Sequence, residues 1–228
     1  MNPDKIFSYR DFGFPPEANG SVLKSLSRMA NRGILTKLSN GRYYKPKQTV
    51  FGALSPSQDE IVKDLLVQGR RTVGYLTGLS IFNRLGLTSQ VANIIQIGCN
   101  VKRNMKKRGI YTIKFVVQPN PITSANIKLL QILDCLRYIN DIPDTDVSNS
   151  VTILKGYILD MTVQEQKTMV ALSMRYPPKT RALLGAILEC GGIVTMAETL
   201  FKSLNNISIY KTGVSPSVLP NLNKWKIK

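Results

Sequence analysis

Basic and hydroxyl side chains recur at helical spacing in the stretch "NGSVLKSLSRMANRG", residues 19–33. Lys24 and Arg28 are four residues apart, so on a helix they lie one turn apart on the same face. Long cationic side chains in this arrangement can bind DNA phosphates or donate hydrogen bonds to a guanine edge in the major groove. Short hydroxyl donors are interspersed with them, at Ser21, Ser25 and Ser27. The pattern predicts a helix that contacts DNA; the plainer interpretation is an amphipathic helix whose cations are only solvated.

A β-hairpin is predicted directly after this helix. The segment "ILTKL" alternates apolar and polar residues as a strand does, and Asn40-Gly41 is a strong signal for a tight hairpin turn. Lys37 and Arg42 lie on this hairpin, where they would hold the DNA backbone. A helix followed by a hairpin is the order of a winged helix-turn-helix, whose helix enters the major groove beside the hairpin.

The predicted helix has an apolar face opposite its cations. Val22, Leu26, Met29 and Ala30 follow the spacing at which side chains share one face of a helix. Gly33 follows at the position where glycine commonly ends a helix. We therefore expect Leu26 to face the interior of a small module.

A second basic segment occurs further along the chain, between two apolar, β-branched segments that are predicted as strands. Five of the seven residues from 102 to 108 are basic: Lys102, Arg103, Lys106, Lys107 and Arg108. Such a run can bind phosphates. It is equally consistent with a solvated hairpin loop or with a surface that faces an acidic partner.

The overall charge supports a polyanionic partner. The 228 residues contain 31 Lys and Arg against 14 Asp and Glu, a net charge of +17. With 43% hydrophobic residues the chain can also bury a core, which excludes a disordered polybasic protein. A surplus of this size favours nucleic acid or an acidic protein as the partner, the alternative being a globular protein that is merely basic.

The residue types argue against an enzyme. The sequence has no histidine, which removes the usual general base and the commonest metal ligand. The three cysteines, Cys99, Cys135 and Cys190, are far apart, and we expect buried thiols in a reducing cytoplasm rather than a disulfide or zinc site. We interpret a loose group of acids as solvated helix ends and loops, namely Asp134, Asp141, Asp144 and Asp146. No catalytic residue, cofactor or metal is predicted.

Targeting signals are not apparent in the sequence. The N-terminal segment "MNPDKIFSYRDFGF" has no apolar core of the kind found in signal peptides. No apolar run reaches the length of a membrane span. We therefore expect a cytoplasmic protein without a membrane partner.

The predicted fold class is α+β. A winged helix-turn-helix in residues 1–46 is followed by a larger mixed α/β domain in residues 53–228, whose C-terminal part is helical. Residues 45–56, "KPKQTVFGALSP", are interpreted as a linker. In the second domain we expect a helix in "TVGYLTGLSIFNRLG", strands in "ANIIQIGC" and "YTIKFVVQ", then several helices. The tail from Ser203 is polar and weakly patterned.

Residues 6–118 resemble the AbiEi-type antitoxins of bacterial toxin–antitoxin systems. The family's "F…DF" segment corresponds to Phe7, Asp11 and Phe12. Its pattern "ALSRLxxxGxIxRxxxGxYYxP" is similar to this chain at Leu26, Ser27, Arg28, Gly33, Ile34, Gly41, Tyr43, Tyr44 and Pro46. A later "aLNxLGLTxQVP"-like block agrees at Asn83, Leu85, Gly86, Leu87, Thr88, Gln90 and Val91. Ala92 replaces the usual proline of that block, and the further helix that this family has before "F…DF" finds no match here.

The resemblance implies a DNA-binding N-terminal domain that represses its own operon at a double-stranded operator. It also implies a C-terminal domain that counters a nucleotidyltransferase-like toxin. The alternative is an antitoxin or adaptor that binds a protein without specific DNA binding.

Overall fold

The computed structural model describes residues 4–50, 52–91 and 93–228, and it confirms the predicted α+β class. Ala92, where the family pattern has a proline, lies outside the described residues, as does Phe51 within the predicted linker. In the described part of the chain, no helix has both the length and the apolar composition needed to cross a bilayer.

Residues 4–46, the first unit, contain a helix and a small antiparallel sheet. Its sheet has the order β1-β3-β2, so the first strand pairs with the second strand of the hairpin, which is central in the sheet. Ser39 pairs with Arg42, which leaves Asn40 and Gly41 as the predicted two-residue turn, and Gly41 has a positive φ of 71°, a conformation that glycine adopts without strain. The elements are β1 (Ile6–Phe7), α1 (Asn19–Asn31), β2 (Thr36–Ser39) and β3 (Arg42–Tyr44).

Helix α1 packs on one face of this sheet. Leu26 is only 5% exposed and contacts a small cluster formed by Phe7, Leu35 and Tyr43, which confirms the predicted orientation of the helix. Gly33 has a φ of 74° just after the helix, a conformation that glycine adopts without strain.

The opposite face of the same sheet belongs to the large core of the protein. Successive residues of a strand point to opposite faces, and Tyr43 lies in the small cluster while Tyr44 lies in the large one. Leu38 also joins the large core. The sheet therefore lies between α1 and the rest of the chain, with side chains buried on both faces.

The segment predicted as a linker instead forms an exposed hairpin. Strand β4 (Lys47–Thr49) pairs antiparallel with β5 (Gly52–Leu54). Gly52, with a φ of 109°, supplies the backbone conformation for the reversal. Every described residue of these two strands is exposed except Thr49, which is partly buried.

The second unit, residues 52–228, is built on a four-stranded mixed sheet of order β10-β11-β9-β8. Strands β9 and β11 are parallel, and the other pairs are antiparallel. Helix α2 starts after Ser57, whose hydroxyl caps it by accepting a hydrogen bond from the Glu60 amide. The elements of this part are α2 (Gln58–Leu66), β6 (Val67–Gln68), β7 (Arg71–Thr72), β8 (Gly74–Thr77), α3 (Leu79–Arg84), β9 (Ile94–Cys99), β10 (Lys106–Arg108) and β11 (Tyr111–Val117).

The helix predicted across residues 72–86 is mostly wrong. Residues Gly74–Thr77 form the fully buried strand β8, and only Leu79–Arg84 are helical. Pairing of Tyr75 with Gly98 and of Leu76 with Ile97 decides the outcome, because it buries the strand in the central sheet.

The C-terminal part is helical, as predicted. Helix α7 is almost wholly buried and begins with Pro178 in its first turn. Helix α6 has a reciprocal cap in which Thr162 and Glu165 bond to each other's backbone amides. The helices are α4 (Ile127–Arg137), α5 (Val147–Leu159), α6 (Val163–Ser173), α7 (Pro178–Cys190) and α8 (Val194–Lys202).

The segment after α8 is packed rather than loose. Trp225 is 1% exposed and lies against α7 at Gly185, where a Cβ atom would overlap the indole ring. The indole N–H donates to the Glu189 carboxylate at 2.8 Å. The segment joins the core through buried apolar side chains at Tyr210, Val214, Leu219, Leu222, Trp225 and Ile227.

The interpretation of Asp134 as a solvated acid is wrong. Asp134 is 3% exposed and accepts hydrogen bonds from the hydroxyls of Tyr75 at 2.8 Å, Thr77 at 2.7 Å and Tyr176 at 2.9 Å. Burial raises the pKa of Asp134, against the opposing effect of these hydrogen bonds. Gln118 donates in turn to both tyrosine hydroxyls at 2.8 Å, which completes a buried polar network.

The cysteines are free thiols. Cys99 and Cys135 are buried as predicted, whereas Cys190 is only partly buried. Its sulfur lies 3.1 Å from the Lys155 ammonium group.

Candidate nucleic-acid interface

The outer face of α1 carries a line of cations, which we call the basic stripe: Lys24, Arg28 and Arg32. Each is exposed, and the stripe lies opposite the buried Leu26. No carboxylate of the described residues forms an ion pair with any of the three. Arg32, at the C-terminal cap, was not among the predicted contacts, although its spacing of four residues after Arg28 would have placed it.

Arg28 is not held by the nearest acidic segment. The Asp11 carboxylate accepts from the Ser8 amide at 2.6 Å and from the Ser8 hydroxyl at 3.0 Å, which caps the turn at Tyr9–Phe12. Asp4 accepts from the Lys47 amide at 3.2 Å. Asp11 and Asp4 thus satisfy backbone groups, and Arg28 is exposed and forms no ion pair within the described residues.

The serines of α1 divide between its two flanks. Ser21 donates to the Ala18 carbonyl at 2.8 Å, so its hydroxyl is already engaged at the start of the helix. Ser21 and Ser25 line an apolar groove of about 400 Å³ beside the helix, together with Phe14 and Met29. Ser27 lies on the other flank by the helical period. The structure therefore places only Ser27 away from this groove.

The hairpin offers one free cation and one that is paired. Lys37 is exposed on β2 opposite Tyr43 and forms no ion pair within the described ranges. Arg42, next to the turn, donates from Nη2 to Oδ2 of Asp64 at 2.6 Å. Because this bond ties the hairpin to α2, Arg42 is less available to a phosphate than predicted.

The basic run 102–108 does not form one surface. Arg108 is 6% exposed and forms two hydrogen bonds to the Asp64 carboxylate, at 2.6 and 2.8 Å. It also donates to the Ile61 carbonyl. The prediction that Arg108 contacts DNA is wrong, because its charge is neutralised inside the protein.

The other four cations of the run lie in three different environments. Lys106 and Lys107 are exposed on the edge strand β10, where lysines also discourage unwanted strand pairing. Lys102 is exposed in the loop before that strand. The guanidinium of Arg103 lies over the ring of Phe115, 5.7 Å from its centre.

Asp64 is the electrostatic link between the two units. Burial acts to raise its pKa, but the hydrogen bonds and charges of Arg108 and Arg42 outweigh this effect and hold the pKa below its usual value. The carboxylate therefore stays ionised near neutral pH and holds a cation from each unit.

The described residues contain no group of three or more His, Cys, Asp or Glu side chains placed to bind a metal ion. The exposed side chains of the first unit include unpaired Lys and Arg on one helix face and one hairpin strand. Such groups bind phosphate oxygens and base edges.

The fold is similar to that of a solved protein. The crystal structure of the RV2827C protein from Mycobacterium tuberculosis superimposes with a TM-score of 0.57 at 11% sequence identity, covering 90% of this chain and 78% of that one. At this identity the match concerns the fold alone. A search of curated proteins finds no match.

A family model matches residues 6–156, which is more than half of the chain and includes the whole helix and hairpin of the first unit. The chain therefore belongs to DUF6088, a family of unknown function.

Proposed function

We propose that this protein is a DNA-binding transcriptional regulator whose first unit acts as a winged helix-turn-helix. The observation that carries the proposal is the basic stripe. Lys24, Arg28 and Arg32 are exposed and unpaired within the described chain, while the opposite face of α1 is fixed to a sheet. A helix held in this way presents its cations outward without further rearrangement.

The stripe fits the geometry of a major groove. The groove is wide enough for an α-helix, and an arginine on that helix can bind a guanine edge through two hydrogen bonds. We assign that role to Arg28, at the centre of the stripe, and phosphate contacts to Lys24 and Arg32. Lys37 on the hairpin would approach the adjacent backbone.

The biological setting that we propose comes from the AbiEi-type resemblance. In that setting the protein represses its own operon, and residues 53–228 counter a nucleotidyltransferase-like toxin. Such an antitoxin would act in the cytoplasm, and its role requires no catalysis, cofactor or metal.

Fluorescence anisotropy tests the DNA-binding part of the proposal. The probe is a labelled duplex that spans the region directly upstream of the protein's own gene, with a scrambled duplex of equal length for comparison. We expect tighter binding to the upstream duplex, and an affinity that falls as salt is raised, because cationic contacts release counterions from DNA.

A charge-matched pair of variants identifies the surface. The triple variant Lys24→Ala, Arg28→Ala, Arg32→Ala removes the stripe, and Lys167→Ala, Lys202→Ala, Lys211→Ala removes three exposed cations elsewhere. We expect the first variant to lose upstream binding and the second to retain most of it. Equal losses in both would mean that binding depends only on net charge, and would contradict the assignment to α1.

A second candidate is a protein-binding antitoxin that does not bind DNA specifically. The exposed Lys106 and Lys107 on β10 favour it, because a partner with an acidic surface would be complementary in charge to them. The test measures binding to the protein that the adjacent gene encodes. The double variant Lys106→Ala, Lys107→Ala should bind that protein more weakly and should bind DNA with unchanged affinity. Loss of DNA affinity in this variant would instead assign the strand to the DNA interface.

A further inference from the structure

A cleft in the second unit gathers three arginines from two separate segments. It opens where the parallel strands β9 and β11 end, beside the β6–β7 hairpin. Its volume is about 790 Å³, within the range of small-molecule sites. Arg70 and Arg71 reach it from the hairpin and Arg103 from the segment after β9, and we call it the arginine cleft. The edge formed by the carboxyl ends of parallel strands is where ligands commonly bind in α/β sheets.

The charge of the arginine cleft is uncompensated. No acidic residue of the described chain lines it, and none of its arginines forms an ion pair there. Like charges that are placed together repel one another, so the arrangement favours occupancy by an anion. The hydroxyls of Thr72, Thr123 and Ser124 also line the cleft and add neutral donors.

The floor of the cleft is rigid. The Asn100 carboxamide donates to the carbonyls of Gln118 at 2.7 Å and of Asn120 at 2.6 Å, which fastens the end of β9 to the end of β11. Gln118 in turn belongs to the buried network around Asp134. Arg103 is oriented by its contact with the ring of Phe115. A floor that is fixed in this way needs no ordering when a ligand binds, which reduces the entropy lost on binding.

We propose that the arginine cleft binds a phosphorylated small molecule through its phosphate groups. Guanidinium groups bind phosphate oxygens through paired, charge-assisted hydrogen bonds, and this is their most specific recognition. The cleft has no aromatic side chain in its described lining on which a nucleobase could stack, so recognition rests on the phosphates.

The cleft is separate from the proposed DNA interface. Every residue that lines it belongs to the second unit, whereas the basic stripe lies on the far side of the small sheet from that unit. The inference therefore does not depend on DNA binding by α1, and the two can be tested independently.

Isothermal titration of the full chain with sodium pyrophosphate tests the inference at physiological ionic strength. We expect saturable binding, and we expect Arg71→Ala and Arg103→Ala each to weaken it about tenfold or more, the effect of losing a hydrogen bond to a charged group. The controls are Arg28→Ala on the stripe and Lys107→Ala on β10, which should bind pyrophosphate like the wild type. Thermal melting of each variant establishes that it is folded, and Arg70→Ala replaces Arg103→Ala if loss of the Phe115 contact unfolds the protein.

Absence of saturable binding to pyrophosphate would overturn the inference, and so would equal weakening by Lys107→Ala. Competition between duplex DNA and pyrophosphate shows whether the cleft binds the phosphates of DNA or those of a separate ligand. If duplex DNA displaces pyrophosphate and Arg103→Ala weakens DNA binding, the cleft is part of the DNA interface and holds no separate ligand. If DNA and pyrophosphate bind together, and Arg28→Ala impairs only the first, the separate site is supported.

Discussion

Arg108 on β10 and Asp64 on α2 face each other through two hydrogen bonds of 2.6 and 2.8 Å. The same carboxylate accepts from Arg42 of the first unit at 2.6 Å. One acidic side chain therefore joins an edge strand of the second unit, its first helix and the hairpin of the first unit. A basic residue that the sequence suggests for nucleic-acid binding serves here as a structural cross-link.

Replacing Arg108 by alanine should destabilise the protein by roughly 1–3 kcal/mol, because it leaves the Ile61 carbonyl and the Asp64 carboxylate without this donor. The expected value is modest for a buried ion pair, since the Asp64 side chain is 36% exposed and partly screened by water. The neighbouring exposed Lys107→Ala should change stability by no more than about 0.5 kcal/mol. Urea unfolding of both variants measures the difference, and equal stabilities would contradict the cross-link.

Leu26→Ala should cost roughly 2–5 kcal/mol, because it removes the central side chain of the cluster between α1 and the sheet. Leu23 on the same helix is 36% exposed, and Leu23→Ala serves as the matched control with an expected change below about 1 kcal/mol. The free energy of unfolding of both is read from denaturation curves. A similar effect of the two substitutions would mean that the orientation of α1 is incorrect.

Two helical glycines should respond to alanine with opposite signs. At Gly185 the new methyl group would overlap the buried Trp225 ring, so Gly185→Ala should destabilise by roughly 1–3 kcal/mol. At Gly156 on α5 the same methyl group meets no atom within 4 Å, and alanine should stabilise the helix by roughly 0.5–1 kcal/mol. A Gly185→Ala variant that melts at or above the wild-type temperature would show that the packing of Trp225 differs from that described.

Acid should remove a stabilising contribution of Glu189. Burial acts to raise the pKa of this carboxyl, but hydrogen bonds from Lys224, Trp225 and Asn221 outweigh it and leave the pKa below its usual value. A carboxyl with a lowered pKa stabilises the folded state above its unfolded pKa of about 4.3, and the stabilisation is lost as the pH falls through the folded pKa.

The wild type should therefore be more stable than Glu189→Gln at pH 7, and this difference should shrink as the pH falls below about 4.3. Glu198→Gln, at an exposed position on α8, is the control and should stay close to the wild type throughout. Urea unfolding at a series of pH values measures all three proteins. A constant difference between wild type and Glu189→Gln down to low pH would contradict the assigned hydrogen bonds.

Arg28→Ala tests the centre of the basic stripe. Because Arg28 is exposed and bonds to no described acid, its loss should leave stability within about 0.5 kcal/mol of the wild type. It should weaken binding to the upstream duplex by about 1–3 kcal/mol if a base contact is lost. A variant that melts early but binds DNA normally once folded would reject the assigned role, and Lys24 would become the next candidate.

The helix and hairpin of the first unit could be predicted because their signals are local. The apolar spacing around Leu26, the glycine at position 33 and the Asn40-Gly41 turn each specify backbone geometry within a few residues. The cap at Ser57 and the proline that starts α7 are local signals of the same kind.

What could not be predicted depends on contacts between distant residues. Residues Gly74–Thr77 have a spacing compatible with a helix, and only their pairing with β9 makes them a strand. The same limit applies to Arg108, whose partner Asp64 lies 44 residues away. No local pattern distinguishes a buried arginine from an exposed one, and the arginine cleft likewise joins segments that are remote in sequence.

The small sheet of the first unit has no free face, since Tyr43 packs toward α1 and Tyr44 toward the second unit. Neighbouring residues of one strand thus pack in two different apolar clusters. A substitution that changes the tilt of this strand to improve packing on one face also disturbs the packing on the other face. The angle of α1 therefore cannot change through substitutions within its own unit alone. The two halves of this protein are therefore expected to diversify together. Under the proposed DNA-binding role, a change of target sequence is more readily made by exchanging side chains on the outer face of α1 than by changing the angle of the helix.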